Sequence, residues 1–155
     1  MNRLVMDSPV GRLELCSSDG VMVSLHPTDD LPTRTDDPLL CECRDELQAY
    51  FSGNLRRFTV PLAKASTPFR AAVEEALLDT PYGTVVTYGD IARAVGKPFA
   101  ARAVGQAVHR NQLCILIPCH RVIGANGFVT GYAWGYEMKA KLLQLEAAYL
   151  PALLD

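Results

Sequence analysis

No apolar run in this 155-residue chain approaches the roughly 18 residues needed to cross a bilayer, and Met1-Asn2-Arg3 is not followed by the apolar core of a signal segment. A membrane anchor and export are therefore not expected, and a cytoplasmic protein is. A disulfide framework is also missing: the five cysteines, Cys16, Cys41, Cys43, Cys114 and Cys119, are odd in number and irregular in spacing, which suits a reducing compartment. Nor is there a zinc-finger pattern. Cys41-Glu42-Cys43 has no second Cys/His pair at ligand spacing, so both thiols read as helix residues, and neither metal nor cofactor is expected. Repeats and low-complexity segments are absent as well.

Acidic residues are missing from one long stretch. Between Asp90 and Glu137 there is none, whereas Arg93, Lys97, Arg102, Arg110 and Arg121 lie there with His109 and His120. The formal charge of -2 therefore hides an asymmetry: residues 1–62 carry ten acids against six bases, and residues 63–155 carry nine bases against seven acids. A local basic surface of this kind suits an anionic partner such as DNA, although a solvated face would leave the same trace.

What is present divides the chain in two. Residues 1–62 form a small α/β unit, 63–67 a linker, and 68–155 a second, mainly helical unit, so the fold class is α/β. Arg12 to Cys16 and Val21 to Leu25 alternate polar and apolar residues about the turn Ser18-Asp19-Gly20, which predicts a β-hairpin. His26 to Pro38 reads as a loop, Leu39 to Phe51 as a helix, and Phe58 to Leu62 as a short strand. A helix follows over Pro68 to Leu78. Thr87, with Asp90 three residues on, is placed to cap a short helix that Gly96 ends, and Lys97-Pro98 turns into a second helix over Ala100 to Val108, closed by Asn111. Two short helices about a tight turn resemble a helix-turn-helix. The second is lined by Ala101, Ala103, Gly105 and Ala107, with Arg102 a lone long cation among small residues. A last helix over Glu137 to Leu150 places Lys139, Leu142, Leu143 and Glu146 on one face, where the two charges are either paired in the core or reach past it to water.

The most chemical stretch is Ile115 to Ile123. An apolar run reaches Pro118, which has no N–H for a ladder, so a strand is predicted to stop there and leave Cys119 at a mouth beside His120 and Arg121. Free cysteines are most often buried small hydrophobes, but Cys-His-Arg is too polar to finish a core strand without a task. A thiol of ordinary pKa, about 8.5, is mostly protonated at neutral pH and needs a base. His120 is the nearest, acting through a bridging water because adjacent residues in extended chain point to opposite sides. Glu146 is placed to hold His120 as the third group of an oriented base.

With these residues in view, the chain resembles the O6-alkylguanine-DNA alkyltransferases. The resemblance runs from about Phe69 to Glu146 through Pro81-Tyr82-Gly83, Thr87-Tyr88-Gly89, Ala100-Ala101-Arg102-Ala103-Val104-Gly105, Asn111, Pro118-Cys119-His120-Arg121-Val122, Gly131-Tyr132, Lys139 and Leu142 to Glu146. Ser8-Pro9-Val10-Gly11 and Tyr50-Phe51 resemble that family's ribonuclease H-like N-terminal domain more loosely. The resemblance implies direct-reversal DNA repair: one irreversible transfer of an alkyl group from O6-alkylguanine to Cys119, after the nucleotide is flipped from a duplex bound through its minor groove, by a protein that is a monomer in solution. It implies His120 as the water-mediated base, Glu146 as its partner, and Asn111 as the hinge between recognition helix and active site. Tyr88 and Lys139 would assist flipping and the leaving guanine. Arg102 would enter the stack, Ala101 and Ala103 would lie in the groove with Arg110 nearby, and Val122, Tyr132, Ala133 and Trp134 would line the guanine pocket. Gln112 stands where many members have proline, and Trp134 where some have a small residue.

Two other classes remain to be separated from this one. A sensor of alkylated guanine would share the fold but lack the acceptor cysteine, and a thiol hydrolase would need a Gly-rich oxyanion segment that is not apparent here.

Overall fold

The computed structural model describes residues 1–127 and 131–154, with side chains considered to residue 151; the last residue of the expected second unit, Asp155, lies outside that range. The N-terminal part is a three-stranded antiparallel sheet in the order β1 (Asn2–Met6), β2 (Leu13–Ser18), β3 (Val21–Pro27), covered by helix α1 (Pro38–Phe51). The hairpin of β2 and β3 is the expected one, with Leu15 opposite Leu25. Strand β1 was not anticipated, and pairs along β2 with Leu4 opposite Leu15. Phe58 to Leu62 is not a strand. The Thr59 and Val60 amides donate to the Glu46 carboxylate (2.9 and 3.2 Å), and only Leu62 makes a bridge, to Met22.

The C-terminal part comprises α2 (Pro68–Leu78), the two-residue strand β4 (Val86–Thr87), α3 (Tyr88–Ala94), α4 (Ala101–His109), the two-residue strand β5 (Val122–Ile123) and α5 (Tyr136–Leu154). Asp37 caps α1 and Thr67 caps α2, each followed by proline at the first helical position, where the missing N–H has no intrahelical partner to lose. Thr87 and Asp90 form the expected capping box at α3: the Thr87 hydroxyl accepts from Asp90 N (3.0 Å) and the Asp90 carboxylate from Thr87 N (2.9 Å). Gly96, at φ 76, then ends the turn in a left-handed conformation that costs glycine little. Helices α3 and α4 form the helix-turn-helix, leaning on α2. Helix α5 begins at Tyr136 and runs past Leu150, with Pro151 inside it.

Strand β3 joins the two parts. The Leu25 amide donates to the Gln112 carbonyl (2.8 Å) and the Cys114 amide to the Leu25 carbonyl (3.2 Å), so the sheet grips the segment that leads to Cys119. That segment is not the predicted strand. Ile115 takes φ 71, the chain folds back so that Ile117 N donates to Leu113 O (2.9 Å), and Cys119–Arg121 form a single 3-10 turn. An apolar run from Leu113 to Ile117 looks the same in sequence whether it is extended or tightly looped; burial accounts for both.

No helix among the described residues is long and apolar enough to cross a membrane.

Candidate active site

Cys119 is 3 % exposed, and the side chains of Asn111 and Tyr132 reach its sulfur. The Asn111 side-chain oxygen accepts from Leu113 N (3.0 Å), which leaves its Nδ2 to donate both to the Ile117 carbonyl (3.1 Å) and to the Cys119 sulfur (3.1 Å). Asn111 thus links the end of α4 to the cysteine turn and touches the sulfur itself. Tyr132 Oη lies 3.9 Å from the sulfur. Lys139 is buried under Tyr132, its Nζ 6.0 Å from the ring centre and donating to the Gly131 carbonyl at 3.4 Å. Burial pushes the Cys119 thiol above its ordinary pKa, against the opposing pull of Asn111, Tyr132 and Lys139, so the resting group is a neutral thiol.

His120 faces the other way in the 3-10 turn, and its Nε2 lies 2.6 Å from Glu146 Oε2 on α5. Glu146 is nearly inaccessible and accepts four further hydrogen bonds: from Tyr50 Oη (2.6 Å), Arg121 Nε (2.9 Å), Arg121 Nη2 (3.0 Å) and Gly83 N (3.1 Å). Burial alone would raise its pKa, but the hydrogen bonds from His120 and Arg121 and the Arg121 charge outweigh it and hold the carboxyl well below the usual carboxylate range. An ionised Glu146 fixes the histidine tautomer. Nε2 carries the proton that Glu146 accepts, so Nδ1 is the basic lone pair. Burial lowers the His120 pKa although Glu146 raises it, keeping the ring neutral, and Nδ1 is buried with no partner among the described residues. Lys139 and Glu146 are therefore both interior groups rather than charges reaching water.

Arg121 and His120 do not belong to the basic surface on which their sequence position put them. Both are buried, and Arg121 spends its guanidinium on Glu146 and the Thr80 carbonyl (2.8 Å). Ala107 is likewise buried. The exposed groups of α4 are Ala101, Arg102, Ala103, Gln106 and His109, with Arg110 just beyond; Arg93 is on α3 and ion-paired with Asp90. Ala101 and Arg102 border an open groove with Tyr88, Gly89, Gly105 and Ala125. Tyr88 and Gly105 also border a small cavity at Cys119, which is completed by Val108, His109, Asn111, Gly131, Tyr132, Ala133 and Trp134. The predicted DNA face and the predicted thiol site therefore share Tyr88. Val122, expected at the pocket, does not border the cavity; it is fully buried and its backbone pairs with Val86. The Tyr88 ring packs over Gly105 of α4, where an added Cβ would meet it at 3.8 Å, an ordinary van der Waals contact that does not itself require glycine.

Tyr50, Gly83 and Arg121 escaped the reading of the sequence as site residues. The only signals were Tyr50-Phe51 and Pro81-Tyr82-Gly83 among the resembling segments and the position of Arg121 beside His120. No group of three or more His, Cys, Asp or Glu side chains placed to hold a metal is found among the described residues.

Two family models match the chain: 6-O-methylguanine DNA methyltransferase, ribonuclease-like domain, over residues 1–64, and 6-O-methylguanine DNA methyltransferase, DNA binding domain, over residues 68–148. The methylated-DNA–protein-cysteine methyltransferase of Mycobacterium bovis is 43 % identical over 153 residues, covering 95 % of this chain and 93 % of that one. The constitutive enzyme of that name from Bacillus subtilis is 52 % identical over 110 residues, covering 70 % and 67 %. A crystal structure of Mycobacterium tuberculosis OGT in complex with DNA superimposes with a TM-score of 0.87 at 42 % identity, covering 96 % of this chain and 94 % of that one.

Proposed function

The chain belongs to the 6-O-methylguanine DNA methyltransferase family and is a DNA-repair protein that transfers alkyl groups to a cysteine, and we propose that this cysteine is Cys119. One observation carries the assignment. Cys119 is held by Asn111 at 3.1 Å next to a histidine whose Nε2 is committed to Glu146 at 2.6 Å and whose Nδ1 is left basic.

In the proposed reaction a water between His120 Nδ1 and the thiol takes the sulfur proton to the ring, and Glu146 stabilises the imidazolium that forms. The thiolate attacks the alkyl carbon on O6; the new S–C bond forms as the C–O6 bond breaks, and the electron pair leaves with guanine. That anion takes up the proton the thiol gave away, with Tyr88 and Lys139 assisting. Asn111 and Tyr132 stabilise the thiolate while it exists, as hydrogen bonds to a charged form do. The product is a thioether, which has no carbonyl for water to attack, so each molecule acts once.

The same reading has Arg102 filling the stack vacated by the flipped nucleotide, with Ala101 and Ala103 in the minor groove and Arg110 on the backbone. The O6 substituent lies in the major groove of a stacked pair, out of reach from the minor groove, and flipping delivers it to the thiol. The protein acts as a monomer in the cytoplasm, with residues 1–62 and 68–155 as its two domains and 63–67 between them. Incubation with duplex DNA containing O6-methylguanine should add one methylene, roughly 14 Da, to the intact protein mass as covalent transfer requires. An unchanged mass on DNA that is bound would leave a sensor, and repaired DNA with unchanged protein mass would mean turnover.

A further inference from the structure

The cavity at Cys119 measures about 10 Å³, room for one water and nothing near the size of a base. Its wall must therefore give way when a nucleotide enters. Trp134 is the bulkiest part of that wall in the segment between Gly131 and Gly135, and a side chain of the N-terminal sheet meets it there. The His26 ring stacks on the indole, with centroids 5.7 Å apart and planes inclined by 25°. His26 is itself firmly placed. It follows Leu25, whose backbone is hydrogen-bonded to Gln112 and Cys114 (2.8 and 3.2 Å), and its Nδ1 and Nε2 lie 3.1 Å from the Pro27 carbonyl and 3.5 Å from Glu14 Oε1. The stacked indole has its Nε1 buried and without a hydrogen-bond partner among the described residues, in a side chain that borders the cavity. A buried N–H without a partner is costly, and costs less once an acceptor arrives.

Resting on the reading of Cys119 as acceptor, we propose that His26 is a positioning residue for lesion selectivity: by stacking on Trp134 it holds the indole against the Cys119 cavity, so that the N-terminal sheet limits the size of the O6 substituent admitted by the C-terminal site. A bulkier substituent must push the indole farther off His26 than a methylated guanine does.

Trp134 is the sole tryptophan of the chain, so its fluorescence reports the stack directly. Acrylamide quenching is measured for the wild type, His26→Ala and His26→Phe, and the ratio of rates on O6-benzylguanine and on O6-methylguanine in duplex DNA for these three and for Trp134→Gly. His26→Ala should expose the indole to quencher and raise the benzyl-to-methyl ratio about tenfold, the factor that roughly 1.4 kcal/mol of relieved crowding gives. His26→Phe, which keeps a ring for stacking, should restore both, and Trp134→Gly should raise the ratio at least as far as His26→Ala. An unchanged ratio in His26→Ala, with or without a change in quenching, overturns the proposal, as does an unchanged ratio in Trp134→Gly. Failure of the underlying reading looks different: no protein then gains mass from either substrate.

Discussion

Tyr50 donates its hydroxyl to Glu146 at 2.6 Å across 96 residues of sequence, which ties the helix of the N-terminal part to the carboxylate that orients His120. The phenol is fully buried, and burial together with the neighbouring carboxylate pushes its pKa far above the ordinary value, so it serves only as a donor. Tyr50→Phe keeps the ring in its aromatic cluster with Phe51, Phe58 and Tyr82 and removes one of five donors to Glu146. A loss of about 1.5 to 3 kcal/mol is expected, the range for hydrogen bonds to charged groups. Urea unfolding of the two proteins measures it, and a loss under about 0.5 kcal/mol would mean the other four donors suffice.

Cys119→Ser should abolish alkyl uptake while leaving DNA binding nearly intact, because a hydroxyl is a far weaker acid and nucleophile than a thiol. Cys114 is the internal control. It is fully buried, and burial raises its thiol well above the ordinary pKa, so Cys114→Ala should cost stability but still gain mass from methylated DNA. Mass gain by the Cys119→Ser protein would move the acceptor elsewhere.

Arg102→Ala should slow repair in duplex DNA much more than reaction with a free O6-alkylguanine base, since the free base involves no unstacking, which costs a few kcal/mol in a duplex. The side chain is exposed on α4, so folding should be unaffected. Equal losses on both substrates would make it a pocket residue instead.

Acid should unfold the protein through the buried cluster, and the direction follows from two groups. Glu146 has a folded pKa far below its ordinary 4.5, so the stability it contributes is complete above pH 4.5 and is lost as pH falls toward the folded value. His120 has a folded pKa below 6.5, so the native state also resists its protonation, and stability declines as pH falls below 6.5. Glu146→Gln should cost about 3 to 5 kcal/mol at neutral pH by leaving Arg121 buried without its counter-ion. It should also flatten the dependence below pH 4.5. Unfolding midpoints against pH for both proteins test this, and parallel curves would exclude Glu146 as a source of the acid limb.

The parts of this site that could be read from sequence are those where residue type and neighbourhood coincide. Cys119 beside His120, the spacing of Lys139 and Glu146 on one helix, and the capping pair Thr87 and Asp90 are all local patterns. The rest depends on contacts that no local pattern carries. Tyr50 and the Gly83 amide reach Glu146 only because α1 and the turn after α2 meet α5. Arg121 looked like surface charge because its partner lies 25 residues away. His26 stood at the start of a predicted loop, and nothing near it in sequence points to Trp134. Local failures had local causes: Ile115 adopts a left-handed backbone in a run that otherwise reads as strand, and the Glu46 side chain takes amides at Thr59 and Val60 that a strand would have offered to a neighbour.

If Cys119 acts once, as proposed, its accidental reaction would cost the whole molecule. The closed cavity and the neutral thiol within it bear on shelf life as well as selectivity, because soluble oxidants and stray electrophiles react with exposed thiolate. Cys119 at rest offers neither exposure nor charge. A Cys119 that accepts only once, as proposed above, is thereby kept from such side reactions until a damaged base reaches it.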